Sequence, residues 1–158
     1  MAEIKDLDTC NYFPIKSGNL LSVGWLSRES DYEKGEISKD FFDRLCELSH
    51  NPWQPIVSAG MHFCELCQFN PPAFTKNIFI PYNGAIYVAP EAIVHYIAAH
   101  WYKPPTIFIE AVLACPEMQS MEYKNAILQN GGRGLVQKKS LTNSCIRMPD
   151  SVDLFNYY

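Results

Sequence analysis

No apolar run in this sequence reaches the roughly 18 residues that a membrane-spanning helix needs, and the N-terminus, Met1-Ala2-Glu3-Ile4-Lys5-Asp6, mixes charges without a following apolar stretch. A bilayer span and a secretory signal peptide are therefore not expected, and cytoplasmic residence is the natural reading. Basic stripes are also lacking: 13 Lys and Arg face 17 Asp and Glu, for a net charge of −4. Lys138-Lys139 alone is too little to track a phosphate backbone, so nucleic acid is not an expected partner. Repeats and low-complexity tracts are absent. No second Cys-x-x-Cys exists beyond Cys64-Glu65-Leu66-Cys67. Charged residues make up only 19 % of the chain against 47 % hydrophobic ones, too apolar a balance for disorder.

What remains is a chain of 158 residues, the size of one ordinary domain spanning 1–158, with a more loosely packed tail expected after 132. Such a chain hides about 70 % of its unfolded surface without needing staples. Its six cysteines, at 10, 46, 64, 67, 115 and 145, are then expected to be reduced thiols in a cytosolic setting.

Residues 19–27 read as a strand, with Gly24 permitting a bulge or close approach. A polar loop over 28–37 follows. Ser38 is placed to cap a helix running to about Ser49, in which Phe41, Phe42, Leu45 and Leu48 recur at helical spacing. Residues 56–59 suggest a short strand. Asn83-Gly84 separates Ile78–Pro81 from Ala85–Val88 and predicts a tight β-hairpin over 78–88, because both central residues of such a turn need positive φ. Pro81 places its strand at a sheet edge. Pro90 suits a first helical position, with a helix over 91–101. Thr106–Cys115 and a Ser120-capped segment ending near Gly131 predict two more helices. The order predicts an α+β fold: a small antiparallel or mixed sheet backed by three to four helices.

The chemistry concentrates in His62-Phe63-Cys64-Glu65-Leu66-Cys67. Two thiolates spaced as Cys-x-x-Cys can converge on one zinc ion at about 2.3 Å. Positions 62 and 64 share a face of extended backbone, which makes His62 a third candidate. The hairpin returns the chain so that a following helix can supply the fourth, and His95 is the expected one. His100 lies about 140° from His95 around a helix, near the apolar stripe of Ile93, Val94, Ile97 and Trp101, which favours packing. The expected metal site is thus His62, Cys64, Cys67 and His95, holding zinc. Buried structural thiols, a redox dithiol at Cys64 and Cys67, and a catalytic zinc with an open position and Glu65 as base are the competing readings. A knuckle, a hairpin and a helix in this order partly resemble a treble-clef zinc finger.

Several stretches are similar to an uncharacterised bacterial family of small cytosolic proteins: Val23-Gly24-Trp25-Leu26, Pro52-Trp53-Gln54-Pro55, the motif Gly60-Met61-His62-Phe63-Cys64-Glu65-Leu66-Cys67, Ile86 to Glu91, His95-Tyr96-Ile97, Tyr102 to Pro105 and Phe108 to Leu113. The resemblance runs over roughly residues 20–130 and implies shared architecture, with no activity attached. Small size, acidic balance, the lack of a catalytic set and an aromatic content of 13 % that can supply interface anchors point to action through protein contact. The specific form expected is an immunity or antitoxin protein whose partner is a toxin domain.

Overall fold

The computed structural model describes residues 3–13, 19–56 and 60–136. Nine elements follow in order: β1 (Leu20–Ser22), α1 (Lys39–His50), β2 (His62–Phe63), β3 (Ala73–Phe74), β4 (Asn77–Tyr82), β5 (Ala85–Pro90), α2 (Ile93–His100), α3 (Thr106–Ala114) and α4 (Met121–Gln129), with a short helical turn at 133–136. They form an α+β fold with a three-stranded sheet in the order β1-β5-β4 and a separate two-stranded sheet, β2-β3. The larger sheet is mixed: β5 pairs antiparallel with β4 and parallel with β1, Leu20 opposite Ile86.

The hairpin forms where Asn83-Gly84 places it, with φ of 50° and 85°. Pro81 lies on β4, at the sheet edge. Ser38 and Ser120 cap α1 and α4, accepting hydrogen bonds from the N–H groups of Phe41 at 3.3 Å and Tyr123 at 3.0 Å. Ile78, Phe79, Ile80, Ile86 and Val88 are fully buried, as are Phe41 and Leu45 of α1, Phe108 and Val112 of α3 and Ile127 of α4. Each side chain of this kind stabilises the fold by about 1.5–3 kcal/mol relative to exposure.

Three boundaries differ from expectation. The first strand is only Leu20–Ser22, because Gly24 takes φ of 75° and its backbone passes so close to Ile93 that a Cβ there would stand 3.0 Å from the Ile93 side chain. Residues 91–101 do not begin a helix at Pro90. Pro90 closes β5 opposite Asn77, the Glu91 N–H then donates to the Lys76 carbonyl at 2.9 Å, and α2 begins at Ile93. The N-terminal segment, which shows no sequence period, bridges antiparallel to the β1 region at Ile4–Trp25 and Thr9–Leu21. The strand expected over 56–59 lies outside the described residues beyond Ile56, as does the tail from 137 onward. Among the described residues no helix is long and apolar enough to cross a membrane.

Cys10, Cys46, Cys64, Cys67 and Cys115 are all free thiols. Thermal melts with and without a non-chelating phosphine reductant should therefore overlay; a drop in melting temperature on reduction would show a disulfide that the fold depends on.

Candidate metal centre

Two parts of the chain meet at the centre. The first is a knuckle. β2 pairs with β3 through His62–Phe74 and Phe63–Ala73, and the Cys64 N–H donates to the Pro72 carbonyl at 3.1 Å, which carries the same register one position further. Cys64 is buried and Cys67 partly buried. The second part is α2, which buries Ile93, Tyr96 and Ile97 in the core and carries His95 as its third residue and His100 as its last. The Phe74 ring lies 5.8 Å from that of His95 and 6.0 Å from that of His62, so β3 packs between the two imidazoles.

The structure brings together Cys64, Cys67, His95 and His100, with one ligand atom from each and all four within 4.8 Å of one another. Cys67 Sγ stands 3.3 Å from His95 Nε2 and 3.4 Å from His100 Nε2, and Cys64 Sγ stands 3.4 Å from His100 Nε2. Bonds of about 2.3 Å to sulfur and 2.0–2.1 Å to nitrogen give a tetrahedral S···N edge of about 3.5 Å. The donors are thus spaced to share one metal ion.

His62 is not part of this group. Its ring packs on Phe74 instead, and its Nε2 is buried with no hydrogen-bond partner among the described residues. Burial lowers the pKa of His62. His100 is in the group although helical angles separate it from His95. It ends α2, Trp101 turns away in the left-handed region (φ 57°), and the two rings meet edge to face at 5.1 Å. A different signal would have found His100: zinc histidines commonly stand three to five residues apart, and four residues separate this pair.

Loop 28–35 braces both sides. The Arg28 N–H donates to Glu65 Oε2 at 3.0 Å, the Tyr32 hydroxyl donates to the His100 carbonyl at 3.1 Å, and the Gly35 N–H donates to the Trp101 carbonyl at 3.1 Å. Desolvation, aided by the neighbouring Cys64, raises the Cys67 thiol; desolvation, with His100 beside it, lowers His95, and desolvation also lowers His100. The metal-free centre therefore holds neutral imidazoles beside a protonated Cys67 at neutral pH.

No curated protein and no solved structure matches the chain. Residues 2–113 match the family described as a domain of unknown function, DUF7919, a span that holds all four clustered residues. With most of its length inside that match, the chain belongs to the DUF7919 family.

Proposed function

We propose that the centre is a closed structural zinc site, and that the protein works through contact with a partner protein rather than by catalysis. The observation that carries the metal assignment is the convergence of two sulfurs and two nitrogens within 4.8 Å. Thiolate and imidazole donors favour zinc over the hard ions magnesium and calcium. Four protein ligands leave no position for water, which separates a structural site from a catalytic one. Protein contact is the reading that the small acidic chain suits, and an immunity or antitoxin protein is one form of it.

Protein purified without chelator should contain one zinc per chain, and cobalt exchange should give the visible spectrum of a tetrahedral site with two thiolates. Because sulfur binds zinc as thiolate and burial raises the Cys67 thiol, zinc uptake at neutral pH should release protons, and affinity should fall as pH falls. Absence of stoichiometric zinc, or a cobalt spectrum lacking thiolate charge transfer, would overturn the assignment.

A further inference from the structure

We infer that the outer face of the metal centre is a docking surface for a basic partner protein that inserts apolar side chains. The inference rests on the structural-zinc reading, because the ion would hold this face in place. Three aromatic side chains that a fold would normally bury are left in solvent here: Phe63 is 54 % exposed, Phe69 85 % and Trp101 64 %. Each lies one or two positions from a clustered residue, next to Cys64, Cys67 and His100 respectively, and the four ligand atoms are within 4.8 Å of one another. The three aromatic residues therefore all flank the centre in the chain. Met61, 59 % exposed, precedes them at the start of the knuckle. Aromatic residues and methionine are the types enriched at the anchoring core of interfaces.

Trp101 adds an independent observation. It occupies the C-cap of α2 in the left-handed region, with φ of 57° and ψ of 20°. Glycine or asparagine fills that position at low cost, whereas a large side chain there is strained. A strained residue whose side chain also faces water contributes little to the core that would justify it, and such strain gathers at functional positions.

Charge selects the occupant. The loop held against Trp101 carries Glu29, Asp31, Glu33 and Glu36, all exposed, against Arg28 and Lys34. Lys34 folds over the Tyr32 ring at 5.4 Å, and Lys103 beside the loop stands 3.9 Å from Glu33. The exposed Trp101 thus borders a loop in which four carboxylates outnumber the three nearby cations. That excess repels a second copy of the chain, nucleic acid and an anionic membrane, and favours a partner with Lys or Arg around its apolar anchors.

The test is selection of a displayed random-peptide library on the zinc-loaded full chain. Enriched peptides should combine Lys or Arg with Trp, Phe or Leu, and their binding should weaken with added salt. Trp101→Asn and Phe63→Ser should each reduce binding by at least about tenfold, while zinc content stays at one per chain and the melting temperature moves by only a few degrees. Glu33→Lys should weaken binding and leave zinc in place. Enrichment of acidic or uncharged peptides, no enrichment, or binding indifferent to Trp101→Asn and Phe63→Ser would each overturn the proposal. So would a dimer that Phe63→Ser dissociates, or flotation with phosphatidylcholine vesicles. Zinc present without peptide binding removes the docking surface alone; peptide binding at Trp101 in a zinc-free protein keeps the surface and removes the metal reading.

Discussion

Cys67→Ser is expected to abolish zinc binding and to lower the melting temperature by roughly 10–15 °C. That figure follows from linkage: free zinc a thousandfold above its Kd stabilises the folded chain by about 4 kcal/mol, and a chain of this length loses roughly 3 °C for each kcal/mol. Cys67 is the better test than Cys64. Cys64 is 2 % exposed, so a serine there also buries a hydroxyl, an added cost unrelated to metal. Cys67 is only partly buried, and its serine variant isolates the lost ligand.

A chelator closes the cycle. Chelated wild-type protein and Cys67→Ser should melt together, and chelation should not lower the variant further, since both routes remove the same interaction. Hydrogen exchange should then rise across residues 60–74 and 93–101, whereas β4 and β5 stay protected. Their side chains Ile78, Phe79, Ile80, Ile86 and Val88 are fully buried, and α3 and α4 pack on β4, without help from the ion. The metal-free protein should also weaken as pH falls below about 6.5, because His95 and His100, lowered by burial, bind protons more readily once unfolded. A melt indifferent to both chelator and Cys67→Ser would mean that the four donors are packed thiols and imidazoles with no ion among them.

Local chemistry was legible wherever one or two residues decide the backbone. Asn83-Gly84 dictates the hairpin turn, and Ser38 and Ser120 mark helix starts, because each acts on atoms within three positions. What depends on distant partners was not legible. The parallel pairing of Leu20 with Ile86 joins segments whose patterns say nothing about each other. The N-terminal segment has no period, since it is held by scattered backbone bonds such as Leu7 N–H to the Ser22 carbonyl at 2.7 Å. Loop 28–35 reads as solvated polar chain, yet two of its backbone N–H groups and the Tyr32 hydroxyl hold Glu65, Trp101 and His100. The cysteine half of the centre was legible from spacing, because two thiols two residues apart converge in a local turn. Of the two histidines in the cluster, His95 was legible too, because a helix following the hairpin faces the knuckle. His100 was set aside on idealised helical angles, which hold inside a helix and fail at its end, where α2 stops at His100 itself. His62, expected from its spacing to Cys64, packs on Phe74 outside the cluster.

That contrast gives the sharpest discrimination available, between His100→Ala and His62→Ala. His100 Nε2 lies 3.4 Å from both sulfurs, so its removal takes away one of four donors. Zinc affinity should fall by more than about 100-fold, beyond the 10- to 100-fold that loss of an outer-shell partner costs. The opened position should also admit water, and the cobalt spectrum should shift accordingly. His62→Ala should retain one zinc per chain with the spectrum unchanged, because its imidazole packs on Phe74 and lies outside the cluster. Its effect should instead appear in stability, where two terms oppose each other. Removing an unsatisfied buried nitrogen is favourable, while losing the packing against Phe74 is not. Titration of each variant against a competing zinc chelator measures both affinities on one scale. Equal affinities for His100→Ala and wild type, with a loss in His62→Ala, would require the knuckle to turn so that His62 rather than His100 completes the site.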